Sequence, residues 1–166
     1  MIPCIGCKAP VPDIDGPSLQ YPNAASPGCY QVYGQILARE YGEYAYPDVH
    51  RLTVDCYAVQ HPGEESRQTI QSVNLHLVSL CLVLEHDFEP RYVTRLMGKA
   101  KKILEPDFVW LEPPESPGAI TVLDVVEASS LSEHEALVNA WAESTWEAWS
   151  EHRATIHGLV ETLIGA

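Results

Sequence analysis

The 166-residue chain, 46% apolar and 20% charged, has the composition of one globular domain large enough to build its own core. Its formal charge of −13 repels phosphate and so disfavours nucleic acid and anionic membrane as partners. The longest apolar run, Leu75 to Leu84, is shorter than the roughly 20 residues of a membrane span.

Residues 1–26 are rich in Pro, Gly and Asp and lack periodicity, so they read as an irregular arm that needs a metal, or packing on the body, to be ordered. Met1-Ile2-Pro3-Cys4 has neither a basic nor an apolar leader segment, and the five cysteines are odd in number. A disulfide framework is therefore not expected, and a reducing cytoplasm is.

Residues 27–166 read as a helical bundle. Ser26 as N-cap and Pro27 at the first helical position predict a helix to about Tyr41, buried through Val32, Tyr33, Ile36 and Leu37 and stopped near Gly42. A second helix is predicted over Asp48 to Gln60, ended by His61-Pro62-Gly63. A third, Ser66 to His86, is apolar on several sides and suits the centre of the bundle. The fourth, about Glu89 to Leu104, carries Arg91, Arg95, Lys99 and Lys102 at helical spacing. That stripe reads first as solvated surface and second as a face for phosphate or an acidic partner.

A Pro-rich connection, Glu105 to Gly118, is expected to plug Trp110 into the core. Thr121 is the expected cap of a short helix to about Ala128. Ser132-x-x-Glu135 predicts the start of a last helix running unbroken to about Leu163, with His152 amid its apolar face between Trp149 and Ile156. The whole predicts an all-α, single-domain bundle of five or six helices.

Chemistry concentrates in the arm. Cys4 and Cys7 form a Cys-x-x-Cys bite, and Cys29 lies in the first turn of the first helix, where free N–H groups and the helix dipole favour thiolate. Zinc prefers four such ligands, so Cys4, Cys7 and Cys29 are the expected ligands of a zinc ion. His50 is taken as the fourth, with Asp13, Asp15 and His152 as substitutes, although an antiparallel return of the second helix would set His50 at the wrong end. His61 lies eleven residues beyond His50, about 16 Å along a helix, so the two cannot share an ion. His61 is assigned to capping the helix end. Cys56 and Cys81 read as small core residues. A thioredoxin-like pair is disfavoured because no strand precedes it.

A second constellation is expected inside the bundle, where Asp55, His76 and His152 could meet. It reads first as a hydrogen-bond network fixing helix register and second as an acid–base or metal site. Phosphate loops, a Gly-x-Ser-x-Gly elbow and His-Glu-x-x-His are absent from the sequence.

The series Cys4-x-x-Cys7, Asp15-Gly16-Pro17, Ser26-Pro27-Gly28-Cys29, His50 through Gly63, Trp110-Leu111-Glu112-Pro113-Pro114 and Trp141-x4-Trp146-x2-Trp149 resembles a bacterial family catalogued only as a domain of unknown function. The resemblance covers nearly the whole chain, implies one intact domain and implies no reaction. Two functional readings stay open. One is a zinc-dependent hydrolase or lyase acting on a small-molecule ligand. The other is a non-enzymatic interaction or regulatory module with a purely structural zinc. Oligomeric state is not legible.

Overall fold

The computed structural model describes residues 1–17 and 24–166; part of the arm expected to be irregular, residues 18–23, lies outside the described residues. The described residues form seven α-helices and one two-stranded hairpin. The helices are α1 (Pro27–Tyr41), α2 (His50–Gln60), α3 (Arg67–His86), α4 (Pro90–Leu104), α5 (Val122–Val126), α6 (Leu131–Ala148) and α7 (Arg153–Gly165). The mostly-α expectation holds.

The arm is more ordered than its composition suggests. Strands β1 (Ile2–Pro3) and β2 (Pro10–Val11) pair antiparallel, Ile2 opposite Val11 and Pro3 opposite Pro10. The tight loop between them closes by Cys4 N–H donating to the Ala9 carbonyl (2.8 Å) and Lys8 N–H to the Cys4 carbonyl (3.1 Å), with Lys8 in the left-handed region at φ 65°. Two-residue strands containing prolines carry no alternation, so the sequence gives them no signal.

Helix α3 is the central element, packed against α2, α4, α6 and α7. Leu77, Val78, Leu80, Cys81 and Leu82 are buried around much of its circumference. Its Ser66 cap accepts from Thr69 N–H at 3.1 Å. Helix α2 starts two residues later than expected because Asp48 does not cap it; Asp48 instead pairs with Arg91 of α4. Short α5 is held by a capping box, Thr121 N–H donating to Asp124 Oδ2 at 2.8 Å. The Pro-rich connection is sealed by Leu111, which is buried. Trp110, expected in the core, is only half-buried and donates its indole N–H to Glu112 Oε2 at 3.0 Å.

The predicted last helix is two helices. Helix α6 starts at Leu131 rather than Ser132 because Ser130 is the cap, accepting from Glu133 N–H at 3.1 Å, while Glu133 reaches back to Ser129 N–H at 2.8 Å. It ends at Ala148, and a 3-10 turn over Ser150–His152 leads into α7. That tighter winding advances the chain by more angle per residue and rotates His152 off the apolar face. Trp149 and Ile156 stay buried, whereas His152 is only half-buried, 2.8 Å from the Glu112 carbonyl.

Candidate metal centre

Helices α1 and α2 meet in antiparallel order. Glu40 near the end of α1 touches His50 at the start of α2, Tyr33 stacks on Tyr57 with ring centroids 3.7 Å apart, and Cys29 at the start of α1 meets His61 beyond the end of α2. The hairpin loop lays Cys4 and Cys7 on this last junction. Cys4 Sγ, Cys7 Sγ, Cys29 Sγ and a ring nitrogen of His61 all lie within 4.8 Å of one another, and all four residues are buried.

His50 is therefore not in the cluster. The antiparallel return places it at the opposite end of α2, and His61 takes the position expected of it. The capping expected of His61 is also present, because its Nδ1 lies 2.6 Å from the Tyr57 carbonyl. A carbonyl only accepts, so Nδ1 carries the hydrogen and donates. Nε2 of a neutral ring is then left with its lone pair toward Cys29 Sγ, 3.3 Å away. One hydrogen bond thus both ends the helix and aims the ring.

Main-chain ties fix the cluster from all sides. Ile5 N–H donates to Ser26 Oγ at 2.9 Å, which diverts Ser26 from capping α1 with its side chain. Ala24 N–H donates to the His61 carbonyl at 2.8 Å. Gly6 sits so close that a Cβ there would overlap the Ala24 carbonyl oxygen and the His61 ring and lie 3.0 Å from the Gln60 carbonyl oxygen. Tyr57 O–H points at Cys29 Sγ from 3.7 Å. Gln60, next to His61, accepts from Trp141 Nε1–H (3.0 Å) and donates to the Pro117 and Ile120 carbonyls (3.1 and 2.8 Å), which joins the junction to α6 and to the Pro-rich connection.

The donor set fits a tetrahedral zinc-sized ion. Bonds of about 2.3 Å to sulphur and 2.0–2.1 Å to nitrogen separate neighbouring ligands by roughly 3.6–3.8 Å. Cys7 Sγ and Cys29 Sγ are 3.9 Å apart. The packed sulphurs divide one proton deficit unequally: hydrogen bonds from Cys29 and Cys7 drive the Cys4 thiol far below its ordinary range against the opposing effect of burial, while the same contacts, with burial, push the Cys29 thiol far above it. Burial lowers the affinity of His61 for a proton, yet hydrogen bonds to Cys4 and Cys7 outweigh it and raise its pKa to about 9. Without a metal, the four groups would have to share protons in a buried space.

The expected inner constellation is only partly assembled. Asp55, fully buried, takes a hydrogen bond from His76 Nδ1 at 2.8 Å, as expected, but its other partners are Arg51 (2.5 Å to Oδ1) and Ser79 (2.5 Å to Oδ2). His152 does not reach it, because the break before α7 turns that ring toward the Glu112 carbonyl. Burial pushes the Asp55 carboxyl up, and the Arg51 charge and His76 more than reverse this, leaving it below the usual carboxylate range.

A second buried carboxylate was not anticipated. Glu40 accepts from His50 Nδ1 (2.6 Å), His134 Nε2 (2.8 Å) and Thr53 Oγ1 (2.5 Å). Burial again opposes ionisation, while the bonds from His134, His50 and Thr53 prevail and hold the carboxyl low. The signal was present in phase: Glu40 follows Ile36 by four residues, and His134 precedes Val138 by four, so both fall on buried stripes.

A helical bundle whose N-terminal hairpin meets the α1–α2 junction at a buried Cys3His donor set able to hold a metal ion is the class of protein this arrangement defines. The chain belongs to DUF5946, a family of unknown function, whose family model matches residues 2–150 and so includes all four donors. No curated protein and no solved structure matches the chain. Among the described residues, no helix is long and apolar enough to cross a membrane.

Proposed function

We propose that Cys4, Cys7, Cys29 and His61 hold one structural zinc ion, and that the chain acts as a zinc-fastened helical interaction or regulatory module. The observation that carries this reading is the burial of all four donors: Cys4, Cys29 and His61 are 0% exposed and Cys7 is 3%. Catalytic zinc keeps one position open for water or substrate, whereas structural zinc is closed by four protein ligands. Closure speaks against a hydrolase or lyase working at this ion. Buried thiolates suit a reducing compartment, so a cytoplasmic location is part of the proposal.

The partner surfaces to test are two. Exposed Arg95, Lys99 and Lys102 of α4 stand out on a chain of charge −13 and suit an acidic partner, whereas the charge of Arg91 is offset by Asp48. A cleft of about 440 Å³, walled by Cys7, Lys8, Pro117 and Asp124, abuts the hairpin and is where a small-molecule ligand would contact it.

Elemental analysis of the purified protein tests the zinc. One zinc per chain is expected, with less than a tenth of that in Cys4→Ser. A protein free of transition metal, or a Cys4→Ser variant that keeps both zinc and melting temperature, overturns the proposal.

A further inference from the structure

A second group of metal-binding side chains lies at the junction of α3 and α7, well removed in sequence from the hairpin. We propose that Cys81, Glu85 and His157 form a solvent-accessible site for a borderline divalent transition cation such as zinc or cobalt. Cys81 Sγ, a Glu85 carboxylate oxygen and a His157 ring nitrogen lie within 4.8 Å of one another. Cys81 and Glu85 are one helical turn apart, which places both on the face of α3 that meets α7.

The carboxylate is aimed. Glu85 Oε1 accepts from the indole N–H of buried Trp146 at 2.8 Å. Oε2 is thereby turned toward His157 Nε2 at 2.6 Å and Cys81 Sγ at 3.9 Å. Metal-binding carboxylates are held by such outer donors. An ion pair between Glu85 and His157 accounts for two of the three groups and core packing for fully buried Cys81, but neither requires the thiol to face the same carboxylate oxygen as the imidazole. The nearby cation, Arg153, lies over the Trp146 ring and pairs with Glu147 Oε2 at 2.6 Å, so its charge is offset.

Mixed sulphur, nitrogen and oxygen donors select against magnesium and calcium, which take oxygen. The Glu85 and His157 side chains remain 33% and 43% exposed, so solvent can supply the remaining coordination positions. This differs from the hairpin centre, which is closed. A thiol binds such a cation as thiolate, so cation binding displaces the Cys81 proton to solvent.

Tag-free protein, its hairpin centre left as isolated, is titrated with cobalt(II) alone alongside His157→Gln, a change at a half-exposed position. The wild type is expected to take up one more equivalent than the variant. That equivalent should carry a thiolate-to-cobalt absorption band in the difference spectrum, and Cys81→Ala should match His157→Gln in uptake. Equal uptake by wild type and His157→Gln overturns the site, and an extra equivalent without the thiolate band overturns Cys81 as its ligand. Both readouts are differences, so a failure of the hairpin zinc would appear separately, in the metal content before titration.

Discussion

At its C-terminal end α2 meets three thiols through His61; at its N-terminal end His50 shares the Glu40 carboxylate with His134, and one turn on Asp55 takes Arg51, His76 and Ser79. Both ends bury polar side chains, but their surroundings differ. The carboxylates belong to helices whose apolar faces already pack together, so charge pairing there satisfies groups within an existing core. Two of the thiols, Cys4 and Cys7, come from a hairpin with two-residue strands and little core of its own and the third, Cys29, from the start of α1, so a shared ion, as proposed, would supply cohesion that the hairpin's own core does not. The same short helix thus separates a region where polar groups refine packing from one where they replace it.

Removing zinc should break that contrast most sharply. Cys29→Ser, or a strong chelator, is expected to release the hairpin and lower stability by about 2–5 kcal/mol, the range found for loss of a native cross-link. The helical circular dichroism should largely survive, and hydrogen exchange should rise in residues 2–11 before it rises in α3. A bundle that melts as one unit with the hairpin would erase the distinction.

Asp55→Asn attacks the other region. It leaves the largely buried Arg51 guanidinium without its counter-charge, a change that costs about 3–5 kcal/mol. Denaturant unfolding should record that loss while zinc content stays at its wild-type value.

Acid sharpens the comparison in one experiment. Asp55 and Glu40 have folded-state pKa values below their unfolded ones, so their contribution is complete above the unfolded carboxylate range near pH 4. It is lost as pH falls through the lower folded values. Protons compete for thiolates and imidazole at higher pH than that. Zinc release, followed with a colorimetric chelator, should therefore precede loss of ellipticity; simultaneous transitions would refute the ordering.

Gly6→Ala is a smaller test of the hairpin end. Its methyl would press on the His61 ring and the Ala24 carbonyl, with an expected cost of about 1–3 kcal/mol and weaker zinc retention against a competing chelator. The smallest effect is expected for His152→Ala. With a half-buried ring and one hydrogen bond to a carbonyl, it should change stability by about 1 kcal/mol. A loss of several kcal/mol would put that side chain back in the core.

Much of the helical frame was legible because its signals are local. Pro27, Ser66 and Thr121 mark starts that the chain adopts to within a residue, and the stripe of α3 gives away its central place. The three clustered cysteines were legible locally, Cys4 and Cys7 from their Cys-x-x-Cys spacing and Cys29 from its place in the first turn of α1. The fourth was not, because choosing between His50 and His61 depends on the direction of α2 relative to α1. His61 also had an adequate local reason to exist, as the residue ending a helix. The break between α6 and α7 has no Gly or Pro to announce it. Its context is tertiary, since Trp149 stays buried while the His152 ring turns out to the Glu112 carbonyl some forty residues earlier.

Gln60 links the indole of Trp141 to the peptide unit preceding His61 through a single amide side chain. Whatever shifts that imidazole also shifts the hydrogen-bond acceptor of a fully enclosed fluorophore. The emission of Trp141, one of four tryptophans, is therefore expected to change when the hairpin is released.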